Sequence, residues 1–341
     1  MDEIQRKKLI WQLPFLVLLI VGTVLIIHQQ RSTPYQKNTD LIFGTSYHIT
    51  YQCDSDLNRS IKAELMKVDR SLSPFNKQSV ITAINQNEEV VPDQMFLDVY
   101  RLAMQISQDT DGAFDITVAP LVNAWGFGFK NGIQPTRAQV DSLMEIVGFG
   151  KVSLVNGRVR KGDPRMMLDC SAIAKGYGCD VVARFLRDRG VQNFMVEIGG
   201  EVVTSGLNEK RLPWKIGVTK PTDDSLNISH ELQTVLNVTD KAMATSGNYR
   251  NFYYKGGKKY AHTIDPKTGY PVQHNILSAT VLTSDCATAD AYATSFMVMG
   301  LERAQQVLAR HPELMAYFIY SDEQGRNGVW FSPSLRDKIV E

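Results

Sequence analysis

The longest apolar run in the chain lies near its start, where Leu9 to Ile27 is interrupted only by Gln12, Pro14, Gly22 and Thr23. At about 1.5 Å per helical residue this run spans roughly 28 Å, close to the hydrocarbon thickness of a bilayer. A core helix would carry a polar face and this run has none, so the pattern predicts a membrane-crossing helix over residues 9–27. Arg6, Lys7 and Lys8 precede it and only Arg31 and Lys37 follow closely. That asymmetry predicts a cytoplasmic tail over residues 1–8, with the bulk of the chain beyond the membrane. No small-x-small cleavage site follows Leu25 and no cysteine stands there for lipid attachment, so the run reads as an uncleaved anchor. Residues 28–38, polar and containing Pro34, read as a tether, and residues 39–341 as one domain.

Within that domain the period alternates between two and about 3.6. Leu41 to Tyr51 alternates as a strand, with Gly44 inside it as a bulge or as a point where a ligand nears the backbone. Ile61, Leu65, Val68 and Leu72 form a helical stripe, ended by the Ser73-Pro74 step. Helices follow at Val80 to Asn85, Pro92 to Gln108 and Thr136 to Val147, the last with Thr136 as N-cap. Asn156-Gly157 predicts a hairpin between Val152 and Arg160. Met166 to Asp169 reads as a strand running into a glycine-punctuated helix that Gly190 closes. Further strands are expected at Phe194–Ile198, Glu201–Ser205, Trp214–Val218, Leu232–Val238, Leu277–Thr283 and Ala316–Tyr320, with a hairpin over Phe252 to His262. Helices are expected at Cys286–Met299 and Glu302–Arg310. Hairpins and helices without regular βαβ alternation predict an α+β domain, mainly antiparallel sheet with packed helices.

Composition narrows the classes. An apolar fraction of 43% is ample for a core, and 37 Lys+Arg against 36 Asp+Glu leave a charge of +1, which supplies no electrostatic footprint for nucleic acid. Cys53, Cys170, Cys179 and Cys286 show neither zinc spacing nor a disulfide framework, and the spacing does not choose a bridge among them.

Chemistry concentrates between Ala244 and Thr294. Asp290 and Thr294 lie one helical turn apart, so on a helix their oxygens emerge on one face and can meet a single hard cation. His262 stands before Asp265-Pro-Lys-Thr-Gly269, where Asp265 either orients the imidazole or caps the turn. Upstream, Asp115 sits in an apolar surround that demands a pairing partner, a hydrogen bond or a ligand. The strand-to-helix turn from Asp169 to Lys175 would present backbone amides and a positive dipole end to an anion such as phosphate. Gly199-Gly200 permits close backbone approach or simply a tight turn.

Six ordered motifs carry a resemblance. They are Asp111-Gly-Ala-Phe-Asp115-x-Thr-Val-x-Pro120, Leu168-Asp169-x-x-x-x-Ala-Lys175-Gly-Tyr, Glu197-Ile-Gly-Gly200, Thr245-Ser-Gly-Asn-Tyr249, His262-x-Ile-Asp265-Pro-Lys-Thr-Gly269 and Ala289-Asp290-Ala-x-Ala-Thr294. Together they resemble the ApbE family of bacterial FAD:protein FMN transferases over roughly Phe43 to Gly300. The resemblance implies a single T-fold-like catalytic domain behind the anchor, with Mg²⁺ as cofactor and FAD as substrate. It implies that FMN moves to a threonine hydroxyl of an acceptor protein, a subunit of a membrane electron-transfer chain, on the periplasmic side of the bacterial inner membrane, with AMP released. Two rival expectations are an FAD pyrophosphatase and a non-catalytic flavin-binding module.

Carried over residue by residue, the family pattern implies His262 as the general base, since an imidazole of pKa about 6.5 is neutral at pH 7. It implies metal contacts from Asp290, Thr294 and the Ala172 carbonyl, and flavin or adenosine contacts from Phe43, Phe75, Ala113, Phe114, Asp115, Asp169, Lys175 and Ile264. The pattern is broken at Ala293, where some relatives carry a further Asp, at Phe43, where they often have Met, and at Phe75, where they often have Tyr. A carboxylate ligand and a phenol hydrogen bond are thereby in doubt.

Overall fold

The computed structural model describes residues 3–128, 134–221, 232–248, 252–255, 258–322, 324 and 326–340. Its centre is an eight-stranded sheet. In spatial order the strands are Tyr35–Ile42, Thr45–Gln52, Phe194–Ile198, Glu201–Ser205, Ala242–Gly247, Ile276–Thr283, Met315–Ser321 and Asn327–Phe331. Every neighbouring pair is antiparallel, as the hairpin-rich sequence predicts. Helices Asn58–Leu72, Ala174–Asp188 and Cys286–Met299 pack on one face. Part of the other face is covered by a small sheet of Ile339–Val340, Leu232–Asn237 and Lys215–Thr219, which packs Trp214, Val218 and Leu236 on Met243, Leu282 and Ile319. The α+β expectation therefore holds.

The helix Cys286–Met299 is buried on nearly every side, because the sheet lies beneath it and Ala174–Asp188 and Gln94–Asp109 lie against it. Its sequence is accordingly apolar almost throughout, with Thr288, Asp290, Thr294 and Ser295 as the main polar exceptions. Asp285 caps its start by accepting from the Thr288 amide at 3.0 Å. Both oxygens of Asp180, on the neighbouring helix, accept from the Cys286 and Ala287 amides at 2.8 Å. The two helices are thus locked at the end nearest the site.

Contact between them is close at Gly176, where a Cβ would stand 2.3 Å from the Cys286 carbonyl oxygen. Gly176→Ala is therefore expected to destabilise the protein by about 1–3 kcal/mol or more, even though alanine favours a helix by about 1 kcal/mol. Thermal unfolding of the full chain in detergent checks this, and an unchanged or raised Tm would contradict it.

Several expectations need correction. The alternating segment from Leu41 is not one strand with a bulge. It is two strands joined at Phe43 and Gly44, both with positive φ (53° and 75°), as a two-residue type I′ turn requires. The tether over residues 28–38 is shorter than expected. Helix Glu3–Ser32 runs on past the apolar segment, Pro34 stops it, and the first strand begins at Tyr35, whose ring packs into the small-sheet core. Met166–Asp169 forms no strand; the Leu168 amide donates to Asn85 Oδ1 and the Asp169 amide to the Ile116 carbonyl, so its backbone is satisfied outside any sheet. Residues 252–255 and 258–261 do pair as the predicted hairpin, while its turn at Gly256-Gly257 lies outside the described residues. All four cysteines are free thiols.

Candidate active site

The sheet parts at one place. Glu201–Ser205 and Ala242–Gly247 pair only through Val202 with Met243 and Val203 with Ala242, so the strands separate beyond Glu201. Residues flanking that split, among them Gly199, Glu201 and Thr245 to Gly247, line a cavity of about 1220 Å³. That exceeds the roughly 300–1,000 Å³ of ordinary small-molecule pockets and is room for a dinucleotide.

Every residue expected to be catalytic, metal-binding or flavin-binding borders this cavity: His262, Phe43, Phe75, Ala113, Phe114, Asp115, Asp169, Lys175, Ile264, Ala172, Asp290 and Thr294. They arrive from different elements. Phe43 stands on the strained hairpin turn, and its ring lies over Gly178, where a Cβ would come within 2.8 Å of it. Phe75 is 69% exposed at the rim. Ala113 and Phe114 are buried in the loop after helix Gln94–Asp109. Ile264 is buried and bridges Pro271 across the turn. His262 directly follows the hairpin, and the Phe127 ring meets it edge-on with 6.4 Å between centroids.

Two carboxylates are committed to the loops that carry them. Asp115 Oδ1 accepts from the Thr117 amide at 2.8 Å and the Thr117 hydroxyl at 2.6 Å, and Oδ2 accepts from the Phe149 amide at 2.8 Å. Burial nevertheless raises its pKa, against those three hydrogen bonds. Asp169 Oδ1 accepts from the Ser171 amide and hydroxyl, which shapes the turn entering helix Ala174–Asp188. Asp265 caps its own turn by accepting from the Lys267 amide at 2.9 Å, so the capping reading of that residue is the one observed.

The polar centre is a trio of charges. Lys175 Nζ donates to Glu201 Oε1 at 2.7 Å and lies 3.9 Å from Asp290 Oδ2. Burial alone would depress the ammonium's pKa, but Asp290 and then Glu201 outweigh it and hold it raised. Burial lifts Glu201 to about 7, with Lys175 opposing and Asp290 reinforcing the rise. It raises Asp290 as well, against Lys175 and the Gly176 amide. Among the described lining residues, Asp69, Asp115, Asp169, Glu201 and Asp290 face a single ammonium, that of Lys175. A phosphate-bearing ligand would need further positive charge here.

The donor set suits a hard cation. Thr294 Oγ1 shares a 3.1 Å hydrogen bond with Ser246 Oγ, and the Asp290 carboxylate lies one turn earlier on the same helix face. The Gly176 amide, in the first turn of helix Ala174–Asp188 where no intrahelical acceptor is available, donates to Asp290 Oδ2 at 3.1 Å. Ala172, two residues before that helix, lines the cavity. A carboxylate, a hydroxyl and a backbone carbonyl are all oxygen donors, the kind magnesium takes together with phosphate and water.

The ApbE family model matches residues 43–318. The chain belongs to the ApbE family. Among curated relatives, an FAD:protein FMN transferase of Vibrio cholerae is 38% identical over 275 residues, covering 77% of this chain and 81% of that one. One of Haemophilus influenzae is 35% identical over 346 residues, covering 95% and 98%. The solved structure of the flavin transferase ApbE from Vibrio cholerae aligns with a TM-score of 0.81 at 34% identity, over 89% of this chain and 99% of that one. An ApbE protein from Thermotoga maritima aligns with a TM-score of 0.78 at 28% identity.

In this ApbE-family chain the residue that sequence reasoning missed is Glu201. It is 3% exposed, it pairs with Lys175, and its Oε2 is buried with no hydrogen-bond partner among the described residues. The signal was an acidic residue set directly between Gly199-Gly200 and the apolar Val202-Val203. Both glycines have positive φ (62° and 107°), so the chain reverses there and returns Glu201 into the split rather than to solvent.

Proposed function

We propose that the chain is an FAD:protein FMN transferase that acts at the outer face of a membrane. It cleaves the pyrophosphate of FAD with Mg²⁺ and moves the FMN half to a threonine hydroxyl of an acceptor, a protein of a membrane electron-transfer chain. The observation that carries this reading is one dinucleotide-sized cavity bordered by an oxygen donor set, by Lys175 and by His262, in a chain whose relatives bear that name.

In this mechanism Phe43, Phe114 and Ile264 supply apolar surface for the flavin and adenine rings. Lys175 and the amides opening helix Ala174–Asp188 take phosphate oxygens. Asp290, Thr294 and the Ala172 carbonyl would hold the ion, which when bound neutralises phosphate charge. His262 accepts the proton of the threonine hydroxyl as its oxygen bonds to the FMN phosphorus. The bridging P–O bond breaks and its electron pair leaves with AMP. Helix Glu3–Ser32 contains Gln12–Gln29, of mean hydropathy 1.9 and with none of that stretch buried, which suits it to anchor the domain beside membrane acceptors.

The test incubates the full chain in detergent with FAD, Mg²⁺ and an acceptor that a known relative modifies. The acceptor is expected to gain the mass of FMN on a threonine, with AMP formed in equal amount. AMP and free FMN appearing at the same rate without acceptor would replace this reading with FAD hydrolysis. Intact FAD throughout would remove catalysis.

A further inference from the structure

We propose that Glu201 is a positioning residue for the cation site: it holds the Lys175 ammonium off Asp290, so that the Asp290 carboxylate stays open to a divalent cation. The inference rests on the proposed function only in taking Asp290 as a ligand of that cation. Two buried carboxylates compete for one ammonium. It sits at full hydrogen-bond distance from Glu201, 2.7 Å, and outside that distance from Asp290, 3.9 Å. Asp290 accepts a hydrogen bond only from the Gly176 amide, at Oδ2, among the described contacts, which leaves its other oxygen for a ligand.

Glu201 cannot follow the ammonium. It opens a strand directly after the Gly199-Gly200 reversal, its backbone is paired through Ile198, and its carbonyl accepts from the Cys179 thiol at 3.2 Å. Lys175, by contrast, is a long, unbranched side chain that keeps 30% of its surface exposed and lines the cavity. If the Glu201 carboxylate were removed, the nearest remaining anion would be Asp290, and the ammonium would close on it and occupy the position a cation needs.

A purely stabilising role fits poorly. The Lys175–Glu201 pair engages only one carboxylate oxygen, Oε1, and Oε2 has no partner among the described residues.

The test measures Mn²⁺ binding by electron paramagnetic resonance titration of the full chain in detergent, with neither FAD nor acceptor present. Glu201→Gln is expected to weaken Mn²⁺ binding by roughly 10- to 100-fold, the usual effect of removing an outer partner of a metal ligand, while leaving the Tm unchanged or raised. Glu201→Asp keeps the charge but draws it back by one methylene, and is expected to weaken binding several-fold. The double change Glu201→Gln with Lys175→Met is expected to restore affinity to near wild type. A crystal structure of Glu201→Gln should place Lys175 Nζ within hydrogen-bond distance of Asp290. Wild-type affinity in Glu201→Asp, which simple loss of charge predicts, would overturn the proposal. So would an ammonium that stays off Asp290 in Glu201→Gln, or a wild-type chain that binds no Mn²⁺. Mn²⁺ binding of the expected pattern in a chain that transfers no flavin would remove the proposed activity and leave this inference standing.

Discussion

Asp290→Asn is expected to lower metal-dependent turnover at least about 100-fold while leaving the protein as stable as before or more so. The two effects have opposite signs because this carboxylate serves the ion and not the core. Asp290 is 3% exposed, and burial raises its pKa, so the native state holds the proton more tightly than the unfolded chain does. Stability from such a group is full below the ordinary carboxylate pKa and is lost as pH rises through the raised native value, so an ionised Asp290 burdens the fold at neutral pH. Asparagine removes that burden. It still offers an oxygen to the Gly176 amide, and Lys175 keeps its 2.7 Å partner in Glu201. Flavin transfer against Mg²⁺ concentration, with Tm measured beside it, decides the matter. A large drop in Tm would make Asp290 structural, and turnover within a few-fold of wild type would remove it from the metal site.

The same residue shows why part of this site was legible in the sequence. Asp290 and Thr294 are polar intrusions in an otherwise apolar helix, and helical periodicity alone puts them on one face. The turn residues around His262 and the Asp169 to Lys175 segment likewise carry their geometry in short local signals. What stayed hidden depends on contacts between distant segments. Ala242–Gly247 is a central strand of the sheet, yet in Ala-Met-Ala-Thr-Ser-Gly only Thr245 is β-branched and most residues are small. Its small residues are there because helix Cys286–Met299 lies directly on it, with Ala244 against that helix and Ser246 bonded to Thr294. The residues on either side of Phe43 alternate, so the pattern alone predicts a continuing strand there. The positive φ of Phe43 is imposed by the hairpin that Ile42 and Thr45 close. Glu201 is the first residue of its strand, as the pattern predicts, and its place in the cavity follows only from the parting of that strand from Ala242–Gly247.

His262→Ala is expected to reduce kcat by roughly 10²- to 10⁴-fold, with the KM for FAD changed only a few-fold. The split between the two constants is the informative part. Flavin binding draws on the apolar walls, the helix N-terminus and Lys175, none of which depends on the imidazole. If His262 takes the proton of the incoming hydroxyl, its loss is felt in the chemical step. The pH profile adds a second, independent sign. A general base works only when neutral, so the wild-type rate should fall on the acid side as the imidazole protonates, and the variant's much lower residual rate should lose that limb. His262 sits beside the hairpin and against the Phe127 edge, so a purely structural role is the rival. That role would raise KM and lower Tm together, and would leave the shape of the pH profile unchanged. A kcat within threefold of wild type, or an acid limb that survives in the variant, would assign the proton to another group of the cavity.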